Sequence, residues 1–236
     1  MIRAFYSGKE GLVAQQTAMD DISNNIANIS TTGYKSKSTQ FSDVLYSSML
    51  RPDQPNYAST LTGNGVAIAA IENDMSDGTP QATNSMLNCS VNAGGFFAVQ
   101  DTGGNTFYTQ DGSFSVMRDQ GGDFLKNAQG LYVLDASGNR INADNSGAPA
   151  ANPGVFAFSN SQGLLNVGGN LFTGSAASGA PSVSNEGFKR GFVESSNVDL
   201  AQQMAQLIIT QRGFQMSSRV VQTADQIEQM TNDLKS

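Results

Sequence analysis

The sequence predicts an α+β protein in which long N- and C-terminal helices flank a central antiparallel all-β domain. Three observations predict it. All six prolines lie between Pro52 and Pro181, so both ends can form uninterrupted helices and the middle cannot. Apolar residues recur at seven-residue steps at both ends, the period of a helix that packs along one narrow face. Between the ends, short aromatic and β-branched runs alternate with Gly-, Asn- and Asp-rich turns, as in antiparallel β structure.

In the first region Phe5, Leu12, Met19 and Ile26 are spaced by seven, and Ile22 and Ile29 fall three residues after Met19 and Ile26. Gly8 and Gln15 occupy the two remaining positions of this a/d stripe. Polar residues fill the spaces between, Asn24, Asn25 and Asn28 among them, so the apolar face is thin. Gly33 follows the last apolar position and is a stop signal. A helix over 5–29 would be about 37 Å long.

The middle offers strands at Gly65–Ile71, after the turn dipeptide Asn64-Gly65, and at Phe96–Val99, Thr106–Thr109, Ser113–Val116, Gly130–Leu134 and Val155–Phe158. Residues 135–152 and 163–184 are small and polar and read as loops or weak strands. Cys89 stands alone beside Val91 and reads as a small buried apolar residue in a strand.

In the last region Ser196, with Asp199 three residues on, reads as the N-cap. Leu200, Leu207, Phe214 and Val221 are spaced by seven, with Met204 at a d position; after a slip in phase, Val220, Ile227 and Leu234 continue the step. A helix over 197–234 would span roughly 57 Å. Gly213 in its middle costs about 1 kcal/mol relative to Ala and is read as a mark of close packing. Helices this long with stripes this narrow are marginal alone. They need to pair with each other as a coiled-coil-like bundle, with other subunits, or with both. The composition divides the chain into a helical segment 1–45, a linker or intermediate segment 46–70, a β domain 71–188 and a helical segment 189–236.

Charge separates the same regions. Residues 1–45 hold four basic and four acidic side chains, and 186–236 hold five and six. Residues 46–185 hold only Arg51, Arg118, Lys126 and Arg140 against ten acids. Nucleic acid and anionic membranes as partners are disfavoured, because both require clustered Lys and Arg. No stretch approaches the roughly 20 apolar residues that span a bilayer, and the N-terminus lacks the apolar run of a cleaved secretory signal.

The chain has no His and one Cys. Ser-His-Asp and Cys-His catalysis are therefore excluded, as are the usual zinc and copper ligand sets. Asp111, Asp119 and Asp123 could supply paired carboxylates to a carbohydrate-acting β domain, yet each sits in a Gly-rich turn context where Asp bonds its own backbone. Asp135–Arg140 has a faint calcium-loop look without the sixth-position Gly or the terminal Glu. Gly94-Gly95 lacks the Lys and Ser/Thr of a phosphate loop. The expectation is no enzyme, no cofactor and no metal.

One resemblance is specific. The segment Gly11-Leu12 through Met19-Asp20-Asp21-Ile22-Ser23-Asn24-Asn25-Ile26-Ala27-Asn28-Ile29-Ser30-Thr31-Thr32-Gly33-Tyr34-Lys35 closely resembles the N-terminal signature of the bacterial flagellar basal-body rod and hook family. Gly191–Asp199, Gln211-Arg212-Gly213-Phe214-Gln215 and Gln222–Asp225 resemble its C-terminal signature. Gly94–Val99 and Tyr108–Phe114 resemble the opening of its outer β domain. Ala93 stands where the family often has Gly, and Gln110 replaces a common Arg.

The resemblance implies a structural subunit of the flagellar axial structure, self-associating through its terminal helices into a helical tube with the β domain outward. Its implied partners are adjacent rod and hook proteins and the flagellar export apparatus. That route uses no cleaved signal and places the protein in the basal body, outside the cytoplasm. The assembly interface is expected at Phe5, Leu12, Met19, Ile22, Asn24, Asn25, Ile26, Asn28 and Ile29, and at Leu200, Met204, Leu207, Phe214, Val221, Ile227 and Leu234. The asparagines would bond neighbours without burying charge. The narrow stripes suggest end helices largely disordered in the isolated monomer. The length fits a rod subunit; a short hook-type subunit is the alternative. In that comparison the Ser47–Asn64 stretch, with Arg51-Pro52-Asp53-Gln54-Pro55, is the candidate segment that sets rigid rod against flexible hook. The remaining readings are a carbohydrate-binding β domain using Asp119 and Asp123, and an adhesin-like coiled-coil module forming small closed oligomers.

Overall fold

The computed structural model describes residues 2–45, 47–49, 60–92, 94–119, 122–143, 149–184 and 187–234; the Arg51–Pro55 stretch singled out above lies outside them. The chain divides into two compact units: residues 1–26, 37–72 and 199–236 form one, and residues 27–36 and 73–198 form the other.

The first unit contains α1 (Ile2–Ala27), β1 (Lys37–Asp43), β2 (Ser47–Met49), β3 (Thr60–Thr62), β4 (Val66–Asn73) and α2 (Leu200–Asp233). β1 pairs with β4, and β2 pairs antiparallel with β3. The proline-free ends form the helices their composition permits. β1 was not expected, because Lys-Ser-Thr-Gln-Phe-Ser-Asp offers one apolar residue in seven. Its register comes from elsewhere: Asn25 in α1 bonds both main-chain groups of Lys37.

The start of α2 corrects the expected cap. Asp199 is the N-cap, with extended backbone (φ −88°, ψ 110°) and a carboxylate that accepts from the amides of Ala201 and Gln202 at 2.8 and 3.2 Å. Ser196 lies before the helix, its hydroxyl accepting from the Val198 amide. An anionic side chain is the better cap here because it both accepts the orphan N–H groups and faces the positive end of a long helix dipole. Asp199→Ala is expected to cost about 1 kcal/mol, read as earlier loss of helical circular dichroism on heating.

The second unit holds β5 (Pro80–Ala82), β6 (Cys89–Val91), β7 (Phe96–Gln100), β8 (Thr106–Thr109), β9 (Ser115–Asp119), β10 (Gly122–Lys126), β11 (Tyr132–Val133), β12 (Val155–Ala157), β13 (Leu165–Gly168), β14 (Leu171–Thr173), β15 (Ser182–Val183), β16 (Phe188–Arg190) and β17 (Phe192–Glu194). Its main sheet runs β13-β14-β8-β7-β11-β10-β9, and β12 joins β7 to β15. The pairings given register are antiparallel throughout. β16 and β17 return from late in the chain to pair with β6 and β5.

β7 sits at the centre, and Phe96 through Val99 are all buried. Because successive side chains point to opposite faces, Phe97 and Val99 enter one apolar cluster with Phe114, Leu125, Val133, Ile141 and Val155. Phe96 enters a second cluster with Leu164 and Phe172. This explains why Phe-Phe-Ala-Val is a continuous apolar run and not an alternating one. The polar stretch 163–184 supplies β13, β14 and β15, held to the sheet by the edge-to-face contact of Phe96 with Phe172.

Candidate assembly interface

Within the first unit the helices run antiparallel. A Cβ at Gly8 would lie 2.8 Å from Val221 Cγ2, one at Gly11 3.2 Å from Ser217 Oγ, and one at Gly213 3.0 Å from Gln15 Cδ. At the far end Asn25 Nδ2 donates to Gln203 Oε1 at 3.1 Å. Gly213 thus marks close packing, as its unfavourable helix propensity suggested.

The buried row on α1 is Gly8, Gly11, Ala14, Ala18, Ile22 and Asn25. On α2 Gln203 and Thr210 are buried, with Leu207, Phe214, Ser217, Val221 and Ala224 half-buried. The helices therefore approach mostly through small and polar residues, which let two backbones come close, with Val221 against Gly8 and the buried Ile22 as the apolar members.

The expected interface residues divide accordingly. Ile22 and Asn25 are buried inside the chain. Leu12, Met19, Ile26, Asn28, Ile29, Leu207, Phe214 and Val221 are half-buried. Phe5, Asn24, Leu200, Met204, Ile227 and Leu234 are exposed. Sequence reasoning passed over Val13, Ile208, Ile209 and Met216, all of them exposed on the helices, with Ile209 at 70%. Their signal was available as apolar residues outside the seven-residue stripe.

Asn25 is wholly engaged within the unit: Oδ1 accepts from the Lys37 amide at 2.9 Å, and Nδ2 donates to the Lys37 carbonyl at 2.8 Å. An amide side chain can pair with a strand's N–H and C=O together, which a carboxylate cannot. Asn28 accepts from the Thr31 hydroxyl at the turn that follows α1.

In the second unit the signature Thr32-Gly33-Tyr34-Lys35 forms a buried junction. Lys35 Nζ meets Glu194 Oε1 at 2.8 Å and donates to the Ser76 carbonyl at 2.6 Å; the two side chains are 1% and 3% exposed. Glu194 also accepts from the Gly78 amide through its carboxylate and from the Gly33 amide through its carbonyl. Thr32 donates to Asp111 Oδ1 at 2.8 Å, and Asn170 donates to the Thr32 carbonyl. Asn197 accepts from the Ser36 amide and donates to the Asp74 carbonyl. The N-terminal, central and C-terminal signatures thus meet in one hydrogen-bonded cluster.

The carboxylates considered for chemistry all have structural work. Asp111 accepts from Thr32 and from the Ser113 amide and hydroxyl. Asp119 pairs with Lys126 at 2.8 Å and bonds the Tyr132 hydroxyl. Asp123 pairs with Arg118 at 2.9 Å. The Asp135 carboxylate accepts from the Ala136 amide at 2.6 Å in a turn that its main chain closes with Asn139 and Gly138. Among the described residues no group of three His, Cys, Asp or Glu side chains is placed to hold a metal ion, and no helix is long and apolar enough to cross a membrane.

Cys89 is buried in β6, and desolvation pushes its thiol up to about 11. The nucleophilic thiolate is therefore scarce near neutrality. Folded protein is expected to resist a disulfide reagent at pH 8 (about the ordinary thiol range) and to react stoichiometrically once denatured. Rapid labelling of native protein would contradict the burial.

Two family profiles match the chain. Residues 5–35 match "Flagella basal body rod protein", and residues 189–234 match "Flagellar basal body rod FlgEFG protein C-terminal". The flagellar basal-body rod protein FlgG of Buchnera aphidicola subsp. Baizongia pistaciae is 33% identical over 97% of this chain and 98% of its own length. FlgG of Bacillus subtilis is 31% identical over the full length of both. The flagellar hook-basal body complex protein FlhP of the same organism is 29% identical, also over both full lengths. The profiles coincide with the two ends whose signatures meet around Lys35 and Glu194, and the relatives align across everything between: the chain belongs to the flagellar basal-body rod protein family.

Proposed function

We propose that this protein is a structural subunit of the flagellar basal-body rod that polymerises through its terminal helices into a helical tube. The observation that carries the reading is the division of labour on the helices. Mostly small and polar residues join α1 to α2, while Phe5, Met204, Ile208, Ile209, Met216 and Met230 remain exposed on them. Monomeric proteins rarely leave such long apolar rows in water, and copies of the same chain are the natural cover in a tube.

The half-buried stripe residues Leu12, Met19, Ile26, Ile29, Leu207, Phe214 and Val221 would border that contact in a coiled-coil-like bundle, with Leu200, Ile227 and Leu234 extending it. Association with neighbouring rod and hook proteins, and delivery by the flagellar export apparatus without a cleaved signal, follow from the same reading. Its place is the basal body, and its role is mechanical and not catalytic.

The test is a charge on the exposed face. Ile208→Asp/Ile209→Asp should leave the β-unit signal in circular dichroism intact and abolish polymer that pellets on centrifugation. Polymer forming at the same protein concentration as the unsubstituted chain would refute the role of that face.

A further inference from the structure

Three pairs in this chain, Asn64-Gly65, Asp77-Gly78 and Asp111-Gly112, have the sequence that allows an acyl side chain to be attacked by the following main-chain nitrogen, because glycine offers no side chain to hinder closure. Asn64 is the only asparagine in the chain followed by glycine. The fold treats the three pairs differently.

At Asp77-Gly78 the attacking nitrogen is committed: the Gly78 amide donates to the buried Glu194 carboxylate at 2.7 Å. A Cβ at Gly78 would come within 1.9 Å of the Ser195 carbonyl oxygen, so the backbone has no room to rotate. At Asp111-Gly112 the carboxylate is buried, and its Oδ1 accepts from Thr32 and Ser113. A Cβ at Gly112 would overlap the Cys89 carbonyl oxygen at 1.6 Å. Neither pair can reach the five-membered-ring geometry while the second unit is folded.

Asn64-Gly65 is held less tightly: a Cβ at Gly65 would lie 3.1 Å from Ser7 Oγ and 3.3 Å from Ser7 Cα, a close approach without the main-chain overlap of the other two pairs. Asn64 is exposed, outside any strand, and its amide makes an exposed hydrogen bond to the Leu45 carbonyl at 2.6 Å. Gly65 has φ +105°, with its carbonyl accepting from Val44. We propose that Asn64 is a site of spontaneous covalent modification, deamidating through a succinimide while the protein is folded.

The Gly65 nitrogen gives up its proton to solvent and bonds to Asn64 Cγ. The Cγ–Nδ2 bond breaks, and ammonia leaves with protons from water. Water then opens the ring at either carbonyl, leaving aspartate or isoaspartate; no oxidant or reductant is involved. The product has lost the amide donor to Leu45, faces that carbonyl with a carboxylate, and in its iso form carries one more main-chain carbon at the turn entering β4.

The test uses the full chain, aged at mildly alkaline pH with and without denaturant. Isoaspartate is mapped by methyltransferase labelling and peptide mass analysis. The native protein is expected to label at residue 64 and to show no labelling at 77 or 111, with denaturant adding signal at both. Asn64→Gln, whose longer side chain would have to close a six-membered ring, is expected to lose the native signal. Native protein that stays unlabelled at 64, or that labels at 77 or 111 as fast as at 64, would overturn the inference.

Discussion

Glu194→Ala is expected to be the most damaging single substitution in the second unit, costing about 3–5 kcal/mol because it strands a buried charge. Among the described residues the Lys35 ammonium would retain only the Ser76 carbonyl, and the Gly78 amide would lose its acceptor. Breaking such a pair from one side leaves an uncompensated ion in a dry environment, whereas replacing both partners by apolar groups of similar size is far milder. Lys35→Met/Glu194→Met should therefore recover a large part of the loss. Chemical denaturation followed by β-sheet circular dichroism measures both. Equal stability of the single and double variants would show that the pair does not act as a unit.

Gly33→Ala is expected to follow, at roughly 3 kcal/mol or more. Gly33 has φ +64°, and a Cβ there would stand 2.5 Å from the Asp111 amide nitrogen and 2.8 Å from its Cα. The left-handed conformation alone costs a residue with a side chain about 1–2 kcal/mol. The overlap is with main chain, which cannot swing aside as a flexible side chain would. The same denaturation experiment should show the lowered midpoint. A change below about 1 kcal/mol, the size expected of an unhindered exposed site, would mean that the two segments are not held together as described.

The helical ends were legible because proline exclusion and seven-residue spacing are local properties of sequence. Which face of α1 meets α2 was not legible. Gly8, Gly11, Ala14 and Ala18 carry little hydrophobic signal, so the stripe through Phe5, Leu12, Met19 and Ile26 dominated the reading. The seam takes in the stripe's Gly8, Gln15 and Ile22 and leaves Phe5, Leu12, Met19 and Ile26 to its side, because close backbone approach selects small residues over large ones. The central strands around Phe96, Tyr108 and Val155 were legible for the same local reason: aromatic and β-branched runs between turns.

Strands such as Lys37–Asp43 and Pro80–Ala82 were not. Their residues are polar or exposed, and their positions are fixed by distant partners, Asn25 for the first and Phe192–Glu194 for the second. The junction itself was recognised only as sequence signatures. That Lys35 neutralises Glu194, separated by 159 positions, is a property of the fold with no local marker. The cap at Asp199 shows the limit at finer scale, since Ser196 and Asp199 are both good capping residues. Only the backbone decides which of them stands where the extended chain ends.

The central claim is that the exposed apolar rows on the terminal helices exist to be covered by other copies of the chain. Electron microscopy of the purified full-length protein over a rising concentration series tests it most directly. Tubes of one regular diameter, appearing above a threshold concentration, are the expected result. A protein that stays monomeric, or that forms only small closed oligomers at every concentration, would contradict it.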